Sequence, residues 1–551
     1  MPTIEISRKL LEKMCRKKVT EKDFEIVKGE ASFSGDRITL ELGDTNRPDL
    51  WSIEGVARVI RGYYGMPSPS MKTAGTAKKI IVDKKLRGIR PFIAGFGAIG
   101  ISVTDDLLKD IIQMQEKISE NYGRKRQKIS IGVYNYDFIK FPLHYRAARR
   151  DESFVPLGMS SPMSLRQILE EHPTGMKYGY VIKDSAFYPL FTDSKNEVLS
   201  FPPIINSSTL GKVEHGMKNL FVEVTGNDIK QVAVVANILA FALFDRGAGI
   251  EPVTVEYPWK TNYGMSVRTP FIKQQVVKVD RDFVKSVLWI DLPDKEIRSL
   301  LERMQYKVVF IDKKHVRVLV PPYRNDIMHQ SDVVEDIAIC YGYNNFEPLD
   351  IKSFTPGSLS SATIFSERLK RILVGSGFQE IMSFILTSGA ADEKMLLESD
   401  SVEIENYMSE SYSRARSWLI PSLLGFLSKN LHIEFPQRIF EIGECVVKDA
   451  KSSDGTRTLV KIAGTVSGNG AGYEDISSYV DAILSCLGIN YVIESVSHPS
   501  FIEGRVGEIF IGGKKCGMLG EIHPKVLNNW PIEKPVVAFE MDMDALLKAS
   551  G

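Results

Sequence analysis

The sequence predicts a multidomain protein of the α+β class. Its 551 residues exceed the roughly 100–200 residues of an ordinary domain, which predicts about three to five folded units. Segments with strand-like alternation and segments with helix-like periodicity follow one another in irregular order along the chain. The apolar fraction of 43% and the charged fraction of 25% are typical of globular proteins, so each unit can bury a core.

Charge and cysteine usage narrow the classes of function. Lys and Arg number 70 and Asp and Glu 69, and the resulting net charge of +1 neither indicates nor excludes a nucleic-acid partner. The five cysteines lie far apart and form no C-x-x-C pair, which argues against a disulfide framework or a zinc ribbon. The N-terminus has no signal-peptide core, and no apolar run approaches the ~20 residues of a membrane span. We therefore expect a cytoplasmic protein.

The first predicted domain is a small α+β unit over residues 1–75. The segment RITLELG (37–43) alternates like a strand. The segment that follows places apolar residues on one face of a helix, with Asp49 as its N-cap and a glycine near its end. Residues 65–79 are rich in Pro, Ser and Gly and are predicted to be a linker.

The second predicted domain, residues 88–262, mixes strands with helices. It contains the helix DDLLKDIIQMQEKISENYG, the strand segment KISIGVYNYDFI and the helix NDIKQVAVVANILAFALFDRG. The last helix is apolar on most faces, so we expect it to be buried and to end at Gly247. This order predicts an α+β domain.

Two further domains follow in the sequence. Residues 268–346 are predicted to form a small unit of helix, strand, strand and, after a Pro-Pro turn, another helix. Residues 356–551 alternate amphipathic helices with strands such as RIFEIGECVV and PVVAFEMD. That order predicts an antiparallel sheet with flanking helices.

Common enzyme signatures are absent from the sequence. There is no G-x-x-x-x-G-K-[ST], G-x-S-x-G or H-E-x-x-H motif, and no G-x-G-x-x-G after a strand. Three basic clusters lie at 78–90, 123–128 (GRKRQK) and 146–150. Such clusters can bind phosphates, and they are also typical of a solvated surface, so both interpretations remain open.

Residues 201–228 form the first candidate site. A Pro-Pro pair at 202–203 stiffens the backbone ahead of the polar run 206–209, and the strand LFVEV leads to polar residues 225–228 at the start of the buried helix. A helix N-terminus with polar side chains is suited to a carboxylate or a phosphate. The alternative is a proline turn followed by ordinary helix capping.

A run of carboxylates forms the second candidate site and consists of Asp326, Asp332, Glu335 and Asp336. The last three lie at i, i+3 and i+4, so we expect them to project together from one face of a helix. Asp332 and Glu335 resemble a capping box, but the helix dipole offsets only ~0.3–1 kcal/mol of repulsion per charge. A hard divalent cation such as Mg²⁺, or an arginine-rich partner, would offset the rest. Capping and cation binding therefore both remain open.

Several long segments resemble the family of phenylalanine–tRNA ligase beta subunits, in the shorter archaeal and eukaryotic form. They include ELGDTNRPDLWSIEGVARVIRGYYG, GRKRQKISIGVYNYDFI, FPPIINS, LFVEVTGND, PPYRNDIMHQSDVVEDIAICYGY, RIFEIGECV and GMLGEIHPKVL, and are spread along nearly the whole chain. The resemblance implies an (αβ)₂ tetramer that attaches phenylalanine to tRNA(Phe) with ATP and Mg²⁺. It places the aminoacylation site on the alpha subunit. Residues 356–551 would then be a class II synthetase-like domain without catalytic residues, which agrees with the lack of an F-R-x-E arginine in RIFEIGE.

The resemblance also assigns residues 88–262 to editing, the hydrolysis of tyrosine wrongly attached to tRNA(Phe). A second site is useful because an apolar pocket for phenylalanine rejects an added hydroxyl only by ~10². The candidates for this site are the polar residues Asn206, Ser208, Asn219, Thr225 and Asp228. We expect a positioned water to attack the ester, held by backbone and side-chain dipoles. The alternative is a non-catalytic, tRNA-binding scaffold with a decayed editing site.

For the carboxylates, the resemblance favours Mg²⁺. In the family, a small helix-turn-helix-like domain binds this ion through an Asp followed six, nine and ten residues later by Asp, Glu and Asp. Asp326, Asp332, Glu335 and Asp336 match that spacing, and residues 268–346 are expected to form this domain. The family's site lies against the alpha subunit, so we expect a structural role for the ion.

Overall fold

The computed structural model describes residues 2–66, 71, 73, 75–350, 354–398 and 400–550, so the predicted linker falls partly outside it. The chain forms two compact units, Met1–Leu349 and Asp350–Gly551. Both combine helices with largely antiparallel sheets, and the prediction of an α+β multidomain protein is confirmed. The finer division into four domains stays a prediction. Within the described residues, no helix is long and apolar enough to cross a membrane.

The first unit begins with a three-stranded antiparallel sheet in the order β1-β3-β2, packed against helices. Its elements are β1 (Thr3–Ser7), α1 (Arg8–Cys15), α2 (Lys22–Glu25), β2 (Gly29–Ser34), β3 (Arg37–Leu42) and α3 (Ile53–Tyr63). The strand predicted at 37–43 is β3. The predicted N-cap of α3 is wrong: Ser52 accepts from the N–H of Gly55, whereas Asp49 is buried and paired with Arg47 at 2.7 Å.

The centre of the first unit is a ten-stranded sheet in the order β12-β11-β10-β7-β4-β14-β5-β13-β6, with β15 paired to β14. Its elements are β4 (Lys79–Val82), β5 (Phe92–Ile99), α4 (Asp105–Lys117), β6 (Ile129–Asn135), β7 (Leu143–Ala148), β8 (Ser153–Phe154), β9 (Met163–Ser164), α5 (Leu165–Glu171), α6 (Pro173–Tyr178), β10 (Tyr188–Thr192), β11 (Val198–Phe201), β12 (Ile205–Asn206), β13 (Asn219–Gly226), α7 (Ile229–Asp245), β14 (Gly249–Thr261) and β15 (Gly264–Thr269). Helix α7 is buried against β5 and β13, as its apolar faces predict. It ends before Gly247, whose φ of 96° only glycine adopts readily.

A three-stranded antiparallel sheet in the order β16-β18-β17 completes the first unit, with three helices against one face. Its elements are β16 (Val276–Asp280), α8 (Arg281–Leu288), α9 (Asp294–Arg303), β17 (Lys307–Ile311), β18 (His315–Leu319) and α10 (Gln330–Tyr341). The helix-strand-strand-helix order predicted here corresponds to α9, β17, β18 and α10. The sequence analysis did not identify β16 and α8.

The second unit is built on a seven-stranded sheet in the order β19-β23-β24-β28-β27-β26-β25. All its pairs are antiparallel except β19 with β23, and helices cover it, so the predicted antiparallel sheet with flanking helices is confirmed. This unit also contains a small three-stranded sheet in the order β20-β22-β21. The elements are α11 (Ser361–Gly375), β19 (Gln379–Glu380), β20 (Leu386–Thr387), α12 (Gly389–Lys394), β21 (Val402–Glu403), β22 (Arg414–Ala415), α13 (Ile420–Lys429), β23 (Gln437–Lys448), β24 (Thr456–Ser467), α14 (Tyr473–Cys486), β25 (Val492–Ser495), β26 (Phe501–Ile511), β27 (Lys514–Ile522), α15 (Pro524–Asn529), β28 (Val536–Asp542) and α16 (Met543–Ala549).

Candidate functional site

A cavity of about 300 Å³ lies where the two edge strands of the ten-stranded sheet, β6 and β12, meet. They meet because the sheet curls, and the side-chain amide of Asn206 on β12 donates to the carbonyl of Val133 on β6 at 3.2 Å. The cavity is lined by Gln115, Arg126, Ser130, Ile131, Gly132, Leu157, His172, Thr174, Glu223 and the segment Ser200–Asn206. The predicted segment 201–228 thus supplies much of the lining.

Gly132 creates the space for the polar groups of this cavity. It stands opposite Glu223 in the β6–β13 pair. A Cβ at this position would lie 2.1 Å from the hydroxyl of Tyr134 and 2.5 Å from Oε2 of Glu223. Because no real Cβ approaches so closely, glycine allows both side chains to occupy this face of the sheet.

Glu223 is a buried carboxylate with an unused acceptor. The hydroxyl of Tyr134 donates to its Oε2, and the hydroxyl of Ser200 lies 2.8 Å from that of Tyr134. Among the residues that the structure describes, none forms a hydrogen bond with its Oε1. Burial raises the pKa of Glu223 to about 7, although the Tyr134 hydrogen bond, the charge of Arg90 and the nearby hydroxyl of Thr225 oppose the shift. A group that titrates near neutrality beside a cavity is typical of functional sites.

Arg90 lies behind Glu223 and connects β6 to β13. Its Nε donates to the hydroxyl of Thr225 at 2.9 Å, and its Nη2 donates to the hydroxyl of Ser130 at 3.1 Å. The guanidinium is buried and bonds neutral oxygens, and burial lowers its pKa to about 10. The network therefore places one positive charge close to Glu223.

Asn206 and Arg126 are half-buried and form the outer part of the cavity. The amide nitrogen of Asn206 is engaged by the carbonyls of Val133 and Gly211 at 3.2 and 3.3 Å, which leaves its carboxamide oxygen to accept from a ligand or water. The guanidinium of Arg126 lies 4.1 Å from the ring centroid of Tyr178. This outer part therefore combines an oriented amide with a fixed positive charge.

The five editing candidates from the sequence do not form one group. Asn206 lines the cavity, and Thr225 belongs to the adjoining Arg90 network. Ser208 bonds through its backbone N–H to Val155, and Asp228 caps α7 through the N–H of Lys230. Asn219, at the opposite end of β13, accepts from Gly100 and donates to Asp137. Among the described residues, Ser208, Asn219 and Asp228 are not part of the cavity lining.

Glu223, Tyr134 and Arg126 were not predicted as site residues from the sequence. One signal was available, because Glu223 is the single charged residue in the apolar strand LFVEV. A charged side chain in a buried strand needs a partner or a function. The roles of Tyr134 and Arg126 had no comparable signal, since they depend on the closing of the sheet.

The four carboxylates of the second candidate site are engaged by the protein itself. Asp332 accepts from the backbone N–H groups of Met328 and His329, both at 2.7 Å. The capping box therefore joins Asp332 to His329, and the predicted box with Glu335 is wrong. Glu335 instead pairs with Lys28, which directly precedes β2.

Asp326 and Asp336 share one arginine. Arg324 forms a bidentate pair with Asp326 and lies 2.9 Å from Oδ2 of Asp336, which also accepts from the hydroxyl of Tyr306 at 2.5 Å. Arg47 approaches Asp326 at 3.7 Å. Burial alone would raise the pKa of Asp326, but the hydrogen bonds and charge of Arg324 hold it below its ordinary value.

As arranged, these residues do not form a Mg²⁺ coordination site. Within the described part of the chain, no group of three or more His, Cys, Asp or Glu side chains is placed to hold one metal ion. The expectation that Asp332, Glu335 and Asp336 project together also differs from the structure, where Asp336 is buried and Glu335 is exposed. The surroundings remain acidic. The ion-pair cluster contains three cations, Lys28, Arg47 and Arg324, and five carboxylates, Asp44, Asp49, Asp326, Glu335 and Asp336, and so carries a net charge of −2.

Comparison with known proteins gives matches along the whole chain. Residues 351–543 match the family model of the phenylalanyl tRNA synthetase beta chain CLM domain, and residues 277–343 match that of the tRNA synthetase B5 domain. The phenylalanine–tRNA ligase beta subunit of Pyrococcus furiosus is 42% identical over 92% of this chain and 91% of its own length. That of Thermococcus gammatolerans is 40% identical over 98% of both. That of Treponema pallidum is 39% identical over 94% of this chain and 88% of its own.

A solved structure is also similar. It is an N-terminal fragment of the phenylalanyl-tRNA synthetase beta subunit from Pyrococcus horikoshii. The match has a TM-score of 0.59 and 37% sequence identity, and it covers 62% of this chain and 100% of that fragment. The similarity therefore extends to the fold as well as to the sequence.

Proposed function

The chain belongs to the family of phenylalanine–tRNA ligase beta subunits, and we propose that its cavity hydrolyses the ester of mischarged Tyr-tRNA(Phe). The observation that carries this proposal is Glu223. Its carboxylate is buried beside the cavity, and within the described part of the chain its Oε1 has no hydrogen-bond partner. A buried acceptor left unpaired costs about 1–3 kcal/mol, and a bound hydroxyl would remove that cost.

The size of the cavity sets the direction in which the substrate enters. A volume of about 300 Å³ holds an amino acid but not a nucleic acid, so the ester must stay at the outer part while the ring points inward. The phenol of a tyrosyl group would then donate to Glu223 at the inner end. A phenylalanyl group has no hydroxyl and would leave the carboxylate unpaired. Sites built to bond a hydroxyl reject the analogue without one by about 10⁴–10⁵.

Asn206 and Arg126 would act on the ester at the outer part. The carboxamide oxygen of Asn206 would orient the attacking water, because its amide nitrogen is held by two carbonyls. The guanidinium of Arg126 would stabilise the oxyanion that forms as the water attacks. The backbone of residues 202–204 is held in place by Arg126, which donates to two of its carbonyls at 3.1 and 2.8 Å.

The second candidate function is a tRNA-binding scaffold with a decayed editing site. The unpaired carboxylate favours editing over this alternative, because a scaffold gains nothing from such a group.

The test is deacylation of Tyr-tRNA(Phe) by the complex of this chain with its alpha subunit. Asn206→Ala should lower the rate about 10²–10³-fold, as loss of one oriented dipole does elsewhere, while the exposed Asn490→Ala should not. Absence of deacylation by the unmodified complex would establish the scaffold.

For aminoacylation, we propose that phenylalanine and ATP bind to an alpha subunit in an (αβ)₂ tetramer in the cytoplasm. The beta-subunit family implies such a partner. Support comes from large apolar side chains exposed around the small sheet of the second unit, which are Met382, Phe384, Leu386, Met408 and Tyr412. Contiguous exposed apolar surface is typical of protein interfaces. The isolated chain should not aminoacylate tRNA, and the mixed subunits should.

Mg²⁺ at the carboxylate cluster is a separate proposal, supported by the net charge of −2 and by hard oxygen donors. The ion would have to take oxygens that now bond Arg324, Lys28 and backbone N–H groups. We therefore expect weak Mg²⁺ binding by the isolated chain. In the complex, Asp332→Asn with Glu335→Gln should lower metal occupancy or assembly while editing continues. Loss of editing with intact assembly would contradict this structural role.

A further inference from the structure

Residues 123–128, GRKRQK, form a loop beside the cavity with an unusual backbone. Arg124, Lys125 and Arg126 have φ values of 48°, 51° and 65°. This left-handed region disfavours residues with a Cβ, and non-glycine residues stay there only when the surrounding structure holds them. Three in succession make one left-handed turn between the helical turn Ile118–Tyr122 and β6.

Two side chains bond the backbone of this turn, the buried Arg90 and the exposed Tyr180. Arg90, anchored inside the sheet, donates to the carbonyls of Arg126 and Gln127 at 3.2 Å each. The hydroxyl of Tyr180 donates to the carbonyl of Lys125 at 3.1 Å. Because these bonds fix the backbone, the Cβ positions of its basic residues are set before any ligand arrives.

The three cationic side chains of the turn lie in two different environments. Arg126 is half-buried and lines the cavity. Arg124 and Lys125 are exposed, and neither forms an ion pair with a described residue. The nearby Glu120 does not neutralise them, since it accepts from the hydroxyl of Tyr178 and pairs with Lys177. Two positive charges without an ion-pair partner among the described residues therefore lie one and two residues from Arg126, which lines the cavity.

We propose that Arg124 and Lys125 bind backbone phosphates of the single-stranded 3′ end of tRNA. The location of that end rests on the proposed editing function, whereas the binding itself does not. Two cations at set backbone positions, without an ion-pair partner among the described residues, complement a polyanion. They contact phosphates and not base edges, so the binding does not depend on base sequence. The loop would thus bring the acceptor end to the cavity, where Arg126 on the same turn contacts the ester.

The test uses the full-length chain and an RNA minihelix that ends in single-stranded CCA. Arg124→Ala with Lys125→Ala should weaken binding about tenfold, and it should reduce the slope of log K against log salt by about 1.4–1.8, the value for two lost phosphate contacts. Arg124→Lys with Lys125→Arg keeps the charges and should restore most of the affinity. Minihelices of different stem sequence should respond alike.

The matched control is Lys140→Ala with Lys195→Ala. Lys195 lies in the β10–β11 turn, and the carbonyl of Lys140 accepts from the N–H of Ser194 in the same turn. Both lysines are exposed and lie away from the cavity, and replacing them changes the net charge by the same amount as the Arg124/Lys125 variant does. An unchanged salt slope in the Arg124/Lys125 variant, or an equal loss in the control, would overturn the proposal.

In the alpha–beta complex, the variant should raise KM for Tyr-tRNA(Phe) and leave kcat unchanged. If no protein deacylates this substrate, the editing proposal fails, and minihelix binding still decides the role of the loop.

Discussion

The hydroxyl of Tyr134 donates a hydrogen bond to Oε2 of Glu223 and leaves Oε1 as the unpaired acceptor beside the cavity. One oxygen of the carboxylate is thus used to orient the group, and the other remains for a ligand. The same pair makes the site sensitive to charge, because burial raises the pKa of Glu223 to about 7. Discrimination, pH dependence and packing can each be tested at this position.

Glu223→Gln should reduce discrimination between tyrosine and phenylalanine. A hydrogen bond to a charged acceptor contributes about 1.5–3 kcal/mol and one to a neutral acceptor about 1, so the ratio of kcat/KM for Tyr-tRNA(Phe) over Phe-tRNA(Phe) should fall about tenfold. The measurement is deacylation of both substrates by the alpha–beta complex. Glu256→Gln, a change at a half-buried residue of β14 that does not line the cavity, is the control. An unchanged ratio would show that Glu223 does not contact the phenol.

The pH dependence of stability should reveal the buried carboxyl. The folded-state pKa of about 7 lies above the ordinary value of 4.5, so the native state binds the extra proton between these values. The contribution of Glu223 to stability is then greatest below about pH 4.5, and about 3 kcal/mol of it is lost as the pH rises through 7. Glu223→Gln resembles the protonated form and avoids this loss. The variant should therefore exceed the unmodified protein in stability at pH 8 and match it near pH 4.5.

Hydrogen exchange of peptides from β6 and β13 measures this difference locally, because it reports the opening of that part of the sheet. Other titrating groups cancel in the comparison of the two proteins. A stability difference that is equal at both pH values would show that Glu223 titrates normally.

The sequence predicted the frame of this site better than its chemistry. Strand β13 and helix α7 follow from local patterns, and so does the cap at Asp228. Alternation along LFVEV places Glu223 on one face, but it cannot say whether that face meets solvent or a cavity. The answer depends on β6 and β12, which are distant in sequence and meet only when the sheet curls.

The carboxylate cluster shows the same limit. Helical spacing indicated that Asp332, Glu335 and Asp336 share a face, and that their repulsion needs a cation. The cations are supplied by the chain itself, and Lys28 and Arg47 lie about three hundred residues earlier. No local pattern encodes such a contact. The sequence identified the excess of carboxylates in this region but not their arrangement, which the fold determines.

Arg324→Ala should destabilise the first unit strongly. Removing this arginine leaves Asp326 and Asp336 buried without their main cation, and breaking a buried pair in this way costs about 3–5 kcal/mol. Chemical denaturation measures the decrease in the free energy of unfolding, and hydrogen exchange of peptides from α10 measures it locally. Arg298→Ala is the control, since its exposed i,i+4 pair with Glu302 contributes about 0.3–0.5 kcal/mol.

The same variant tests the cluster as a cation site. With Arg324 gone the cluster carries one further uncompensated negative charge, so excess Mg²⁺ should recover part of the lost stability. Excess Na⁺ at equal ionic strength should not. Equal recovery with both salts would show that the effect is ionic screening and not Mg²⁺ binding.

Gly132→Ala should abolish editing by displacing the Tyr134–Glu223 pair. The added Cβ would lie 2.1 Å from the Tyr134 hydroxyl and 2.5 Å from Oε2 of Glu223, so the pair must move apart. Because these side chains are packed inside the sheet, overpacking should also cost about 1–3 kcal/mol. Gly88→Ala is the matched control, since a Cβ there meets nothing within 4 Å and its φ is not positive. Deacylation of Tyr-tRNA(Phe), measured together with aminoacylation, separates a lost cavity from a misfolded subunit. If Gly132→Ala retains normal deacylation, the orientation of Glu223 by Tyr134 is not needed for editing.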